Sequence, residues 1–353
     1  MKNESTMLNN LRIDEEKYKS ILKYIRLKVT EKYEFPQEIV RVDGVTIATL
    51  GNFSASTGKP KSKKTFNVSA IVASALSGKE VLRYKADLPS CKNRILYIDT
   101  EQSKCHCHKV LHRILSLAGL PTDQENDRIQ FFVLREYTPD QRRDIINWSL
   151  HEEENIGLVI IDGIRDLIHD INSPSESLDI INELMRWSSY YELHIHTVLH
   201  LNKGDDNTRG HVGTELNNKA ETVLQISKNN ENGRISEVRA MHIRDKEFIP
   251  FAFEIGEDAL PHLVKDYQCK TNKKLSSYTE IDEQQHRTAL EQAFAECEEF
   301  GYQALLEALK KGYESIGYSR GRNTLVNLCK FLLEHNAILK NDRTYSYNSS
   351  FHL

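Results

Sequence analysis

Residues 58–65 read Gly58-Lys59-Pro60-Lys61-Ser62-Lys63-Lys64-Thr65. One substitution separates this stretch from the pattern G-x-x-x-x-G-K-[ST] of a phosphate-binding loop. Such a loop needs inward-facing backbone N–H groups, a helix N-terminus behind them and an ammonium that reaches the outer phosphates. Gly58 supplies the tight turn, and Lys61, Ser62 and Lys63 carry the loop backbone around the phosphates. Lys64 stands where the phosphate lysine belongs, and Thr65 where a hydroxyl binds Mg²⁺. The stretch that follows, Phe66 to Leu76, has the pattern of a helix rich in small apolar residues. The departure is Lys63, where the pattern has glycine: a Cβ there crowds the backbone or forces a costly φ. A second register, Gly51 to Gly58-Lys59, has the wrong spacing and runs into Pro60.

Working outward, three apolar runs end in groups with chemistry. Arg94 to Asp99 reads as a strand and leads into Thr100-Glu101. An acid at that place can orient and deprotonate a water for in-line attack on a phosphate, and Asp99 points the same way along the pleat. Leu158-Val159-Ile160-Ile161 is apolar throughout, as a central strand buried on both faces is, and it ends in Asp162. A carboxylate at the carboxyl end of a parallel strand lies beside the ligand crevice, where it can hold Mg²⁺. Asp166, one helical turn on, reads as a capping or orienting group. The next strand ends in His200-Leu201-Asn202-Lys203, so His200 faces the crevice, placed to sense a γ-phosphate. Residues 203–219 are polar and glycine-rich. They read either as a flexible loop touching nucleic-acid phosphates through Lys203 and Arg209 or as a solvated surface loop. Met241-His242-Ile243-Arg244 closes a strand, and either Arg239 or Arg244 is placed to act as an arginine finger in a neighbouring subunit.

The chain has 353 residues, 39% hydrophobic and 28% charged, which allows a sizeable core and argues against global disorder. A net charge of −4 excludes a uniformly basic nucleic-acid coat but leaves room for a local basic face. Six scattered cysteines, a polar N-terminus and no apolar run of membrane-spanning length predict a reduced, cytoplasmic setting. Residues 1–44 predict one amphipathic helix, with Tyr18, Ile21, Leu22, Ile25 and Val29 on one face, ended by Phe35-Pro36. Residues 45–265 alternate strands (45–50, 94–99, 129–134, 157–162, 194–200) with helices (64–78, 104–118, 139–152, 175–192), then give strands at 221–226, 235–243 and 249–255. That is an α/β fold with a mainly parallel sheet and an antiparallel extension at one edge. Residues 266–284 read as a linker and 285–353 as a separate small domain.

GKPKSKKT, YIDTE, LVIID, HLNK, RGHVG and HIR together resemble the RecA-superfamily ATPases, in particular the RepA-type hexameric helicase branch common on bacterial mobile elements. The resemblance covers residues 45–265. It implies a RecA-like core that uses ATP and Mg²⁺, with Glu101 as catalytic base, Asp162 as second acidic motif and His200 as sensor. It favours Arg244 over Arg239 as the finger, and it implies homo-oligomeric rings with ATP at subunit interfaces.

Cys105, His108 and His112 share one helical face and invite a zinc reading, but no second ligand pair accompanies them, so an ordinary helix is the preferred account. In the C-terminal domain, three helical patterns precede a hairpin flanking residues 340–343, which looks like a winged helix-turn-helix. Ser319 reads as the N-cap of the third helix. Arg320, Arg322 and Asn323 are then candidates for base edges of double-stranded DNA, and Lys340 and Arg343 for its phosphates. Residues 301–353 hold seven Lys+Arg against four Asp+Glu, a modest excess that permits this. A protein-interaction module of the same fold is the alternative. The combined expectation is a DNA-acting ATPase, single-stranded DNA meeting the ATPase loop. The competing readings are an ATP-gated DNA-binding regulator and a scaffold with a degenerate loop.

Overall fold

The computed structural model describes residues 15–201, 210–229, 232–265, 267, 277–295 and 297–351. The chain forms two compact units, Met1–Gln268 and Cys269–Leu353.

The first described element of the first unit is helix α1, residues 15–25. It stops well short of Phe35-Pro36, because the Lys28 N–H donates to the Tyr33 hydroxyl (3.0 Å) instead of continuing the helix. Strands β1 (Glu38–Val42) and β2 (Val45–Thr49) then form a hairpin. Its turn, Asp43-Gly44, has positive φ at both residues (49° and 82°), as a two-residue hairpin requires. With β4 (Tyr84–Ala86) they make a small antiparallel sheet of order β2-β1-β4. The run 45–50 therefore does not belong to the main sheet. The strand that feeds the phosphate loop is β3, Phe53–Gly58, which the apolar pattern did not reveal.

The main sheet has nine strands in the order β12-β11-β10-β9-β3-β8-β7-β5-β6. Its parallel part comprises β3, β5 (Arg94–Asp99), β6 (Ile129–Val133), β7 (Ile156–Asp162), β8 (His194–His200) and β9 (Thr222–Lys228). The antiparallel extension comprises β10 (Ile235–Ile243), β11 (Phe251–Ile255) and β12 (Pro261–Leu263). Helices α2 (Lys64–Ser77) and α3 (Lys104–Ala118) pack with the small sheet on one face, through Val68, Ile71, Val110 and Ile114. Helices α4 (Pro139–Glu152), α5 (Pro174–Tyr190) and α6 (Gly210–Lys219) cover the other, through Ile146, Ile181, Leu184 and Leu216. The α/β architecture with a mainly parallel sheet is thus as the strand–helix alternation implied.

Strand β3 is fully buried yet reads Phe-Ser-Ala-Ser-Thr-Gly. Its two serines are satisfied by its neighbour β8, which contributes His194 and His196, both buried, while the Thr57 hydroxyl donates to the Leu224 carbonyl of β9 (3.1 Å). Four hydrogen bonds form one directed chain. The Thr49 carbonyl can only accept, so His194 Nδ1 carries the hydrogen that donates to it (2.8 Å). His194 Nε2 then accepts from Ser54 (2.7 Å), Ser54 accepts from His196 Nδ1 (2.7 Å), and His196 Nε2 accepts from Ser56 (2.8 Å). One carbonyl thereby fixes both tautomers.

In the second unit, helices α7 (Glu283–Ala293), α8 (Tyr302–Ser315) and α9 (Arg322–Glu334) accompany strands β13 (Glu299–Gly301), β14 (Ile338–Asn341) and β15 (Thr344–Tyr347). The sheet is antiparallel in the order β13-β15-β14. Leu290, Leu305, Leu309, Leu328, Leu332 and Ile338 lie in its core. Helix α9 starts behind Gly321 rather than at Ser319, whose hydroxyl instead donates to Glu314 (3.1 Å). Part of the segment read as linker is ordered within this unit: Tyr278 packs against Phe331, and Asp282 caps α7 by accepting the Gln285 N–H (2.8 Å).

Burial pushes the His196 imidazole down to about 3, with His194 adding to the effect, and pushes His194 down as well. The unfolded chain takes up these protons below about pH 6.5 and the folded chain does not. Stability is therefore complete above that pH and is lost as pH falls towards the folded value. The urea midpoint should drop steadily from pH 6.5 to 4. His196→Leu should flatten that drop while costing about 1–3 kcal/mol at pH 7.5 through the orphaned serine hydroxyls. An unchanged pH slope in the variant would show that another group controls it.

Candidate nucleotide site

Gly58 ends β3 at a point where only glycine fits. A Cβ would stand 2.2 Å from the Ile226 carbonyl oxygen and 2.5 Å from Ser62 Oγ. The Ser62 hydroxyl is itself buried and has no hydrogen-bond partner among the described residues, an open donor inside the loop that suits an oxyanion. Lys63, in the place of the pattern's glycine, adopts φ 69° and ψ 31°, the left-handed conformation that glycine takes freely. The loop therefore keeps its course at the expense of strain in Lys63. The ammonium of Lys63 turns aside and donates to the Arg234 carbonyl.

Lys64 is only 5% exposed. Its ammonium donates to the carbonyls of Gly58 (2.8 Å) and Lys59 (3.2 Å) and to His200 Nδ1 (3.0 Å). Burial pushes it down to about 8, against the opposing pull of Asp162 and Glu101. Because His200 Nδ1 accepts from Lys64, its hydrogen sits on Nε2, which lies 3.7 Å from Glu101 Oε2. The imidazole thus bridges the phosphate lysine and the acid. This contact, together with Lys64, holds the Glu101 carboxyl below its usual range.

Thr65 Oγ1 and the Tyr97 hydroxyl both donate to Asp162 Oδ2, each at 3.0 Å. Burial pushes Asp162 up to about 6, with neighbouring Asp99 adding to the effect. The two aspartates sit side by side in register on β5 and β7. Thr65 and Asp162 have the hard oxygen donors that suit Mg²⁺. Asp99 faces inward: its carboxylate accepts the N–H groups of Glu101 (3.0 Å) and Gln102 (2.7 Å). Asp166 accepts from the Thr100 hydroxyl (3.0 Å), an orienting contact. Lys61, Ser62, Lys64, Thr65, Glu101, Asp162 and His200 all line one cleft of about 570 Å³. Across it, on α3, Arg113 stacks its guanidinium 3.6 Å from the centre of the Phe66 ring. Tyr97, Phe66 and Arg113 escaped the sequence reading. Only Tyr97 carried a signal, since it alternates with Asp99 on β5.

Other candidates lie elsewhere. Arg239 is held within its own sheet by Gln225 (2.6 Å). Arg244, just past β10, is exposed, donates to the Lys219 carbonyl (3.2 Å) and does not line the cleft. Lys203 and Arg209 fall outside the described residues. The rest of their segment is not a flexible loop: residues 210–219 form α6, anchored by buried Val212 and Leu216. On α3, His108 and His112 approach each other (Nε2–Nε2 3.1 Å), but no group of three or more metal-ligating side chains occurs among the described residues. In the second unit, Arg322 and Asn323 are exposed at the start of α9, with Arg322 donating to Gln303 (2.8 Å). Arg320 lies 4.8 Å from the centre of the Tyr318 ring, and Lys340 and Arg343 are exposed on the β14–β15 hairpin.

The model of the AAA domain family matches residues 29–206, half of the chain. The chain belongs to the AAA domain family. Its parallel sheet, its loop ahead of α2 and its acidic strand ends accord with a nucleotide-binding domain of that family. A crystal structure of the RadB recombinase is similar at 16% identity and a TM-score of 0.44, over 62% of this chain and 93% of that one. No curated protein matches the chain. No described helix is long and apolar enough to cross a membrane.

Relief of the strain at Lys63 is measurable. Lys63→Gly should raise stability to urea by about 1 kcal/mol and bind fluorescent ATP analogues at least as tightly as the parent. Weaker binding would mean that the lysine side chain contributes more than its backbone costs. A proton and a cation also compete for Asp162. The Mg²⁺ needed for half-maximal nucleotide binding should rise as pH is lowered from 7.5 to 5.5, through the value near 6, and Asp162→Asn should abolish that pH effect. A pH-independent Mg²⁺ requirement would remove Asp162 from the metal site.

Proposed function

We propose that this chain is a DNA-acting ATPase of the RepA-like helicase kind, serving replication or mobilisation of a mobile element in the cytoplasm. The observation that carries the reading is the convergence of Lys64, the Thr65–Asp162 pair and the Glu101–His200 pair in one cleft. Lys64 exchanges its carbonyl and imidazole partners for the β- and γ-phosphates, and the Ser62 hydroxyl adds a donor. Mg²⁺, held by Thr65 and Asp162, would neutralise phosphate charge. Glu101 takes the proton of the attacking water, and the bond between the γ-phosphorus and the bridging oxygen breaks. His200 senses the γ-phosphate through its shared contact with Lys64. Arg244 completes the site of a neighbouring copy in a ring, for which its exposure leaves it available.

In this reading the second unit is a winged helix-turn-helix that takes double-stranded DNA, a reading supported by its three helices and its small antiparallel β13-β15-β14 sheet. Arg320, Arg322 and Asn323 would then meet base edges, and Lys340 and Arg343 phosphates. The segment holding Lys203 and Arg209 would meet single-stranded DNA. A second reading, an ATP-gated DNA-binding regulator or scaffold without motor activity, draws on the strained lysine at the glycine position of the loop.

The deciding measurement is ATP hydrolysis by the whole protein, alone and with single- or double-stranded DNA, beside Glu101→Gln. Turnover stimulated by single-stranded DNA and lost in the variant is the expected outcome. Turnover indifferent to single-stranded DNA would favour the regulator. No turnover in any condition would leave the scaffold.

A further inference from the structure

The Glu101 side chain is held loosely. Its carboxylate is two-thirds exposed, and its ring partner is 3.7 Å away. Whatever fixes it must act through the backbone. We propose that Arg142, on the opposite face of the sheet, is a positioning residue for Glu101: its guanidinium and the Asp99 carboxylate clamp the two ends of the Thr100–Glu101 peptide unit. The inference rests on the ATPase reading for what Glu101 does, but not for the clamp itself.

The geometry is specific. The Thr100 carbonyl and the Glu101 N–H belong to one rigid plane. Asp99 Oδ1 accepts that N–H at 3.0 Å, and Arg142 Nη2 donates to that carbonyl at 3.3 Å. Bonds at both ends of the plane stop it rotating and so set the direction in which the Glu101 side chain leaves the backbone. The remaining donors of Arg142 reach the carbonyls of Leu134 (2.9 Å), Arg135 (3.0 Å) and Asp166 (2.7 Å). One side chain therefore ties together the chain just past β5, β6 and β7, where these parallel strands open onto the cleft. Arg142 is itself well anchored, in the first turn of α4 behind a Thr138–Gln141 capping box.

Its charge is what makes the arrangement informative. Arg142 is buried, and among the described residues it makes no ion pair or hydrogen bond with a carboxylate: its partners are main-chain oxygens. Burying a guanidinium without a counter-ion is a poor way to gain stability, and an apolar side chain would fill the space at less cost. A planar fork with several fixed donors is, however, the side chain suited to holding carbonyls from separate loops at set positions.

The test compares the whole protein with Arg142→Lys and Arg142→Ala. Lysine keeps the charge and stem but cannot span the carbonyls. In Arg142→Lys, kcat for ATP should fall by roughly a hundredfold, the scale of a 1 Å misplacement, with KM within about twofold of the parent. Added guanidinium ion should restore part of the turnover of Arg142→Ala. Exchange of the Glu101 amide hydrogen should quicken in Arg142→Lys, a readout that needs no turnover. If the parent hydrolyses no ATP, the ATPase reading fails and amide exchange alone decides the clamp. If Arg142→Ala does not fold, Arg142→Lys decides. Unchanged kcat, or an unchanged Glu101 amide in folded Arg142→Lys, would overturn the proposal.

Discussion

The seam between β3 and β8 is the constraint on which the rest of the first unit depends. A central parallel strand that after Phe53 holds only Ser, Ala, Thr and Gly gains little from hydrophobic burial. It is admitted to the core only because two histidines on the adjoining strand match each buried serine, and because one carbonyl dictates where every hydrogen lies. A fully satisfied chain of this kind specifies register, since a slip along the strand would leave buried donors without acceptors. The same register sets Gly58 beside His200, and so Lys64 beside the imidazole. Small residues on β3 also let the loop turn tightly against β9, where Gly58 passes the Ile226 carbonyl.

The cleft shows opposed charges held in tension. Lys64 is pushed towards neutrality by burial and Asp162 towards protonation by the same cause. Asp162 partly offsets the effect on Lys64, while the charge on Asp162 is favoured by the Tyr97 and Thr65 hydroxyls that donate to it. Sites that bind a polyanion and a cation together gain from this balance: both ligands find groups already stripped of water, and each group is paid for only when the other ligand arrives.

Much of this was legible in the sequence, for identifiable reasons. Leu158–Ile161 and Arg94–Asp99 announced themselves because strands buried on both faces leave unbroken apolar runs, and Asp162 and Glu101 lay at their ends. Helices α2 to α5 followed from their alternation with the apolar strands. Strand β3 did not, because hydrophobicity is the usual signal of burial and here hydrogen bonds replace it. The first apolar run, 45–50, was accordingly assigned to the wrong sheet. Residues 210–219 looked like loop because glycine and polar residues dominate, although Val212 and Leu216 sit at helical spacing and are buried. The three-residue β13 is too short to carry a pattern. Arg142 was invisible for a different reason: its partners are backbone carbonyls, and no sequence records where those point.

The far edge of the main sheet has a consequence for association. Strand β12 is only three residues long and begins with Pro261, which has no N–H to offer. Proline and brevity at an edge deny a neighbouring strand the ladder it would need to add on. Fusion of sheets between copies of this chain is thereby disfavoured at that border, which leaves the advantage to side-chain contacts, easier to break and remake than a continuous backbone ladder.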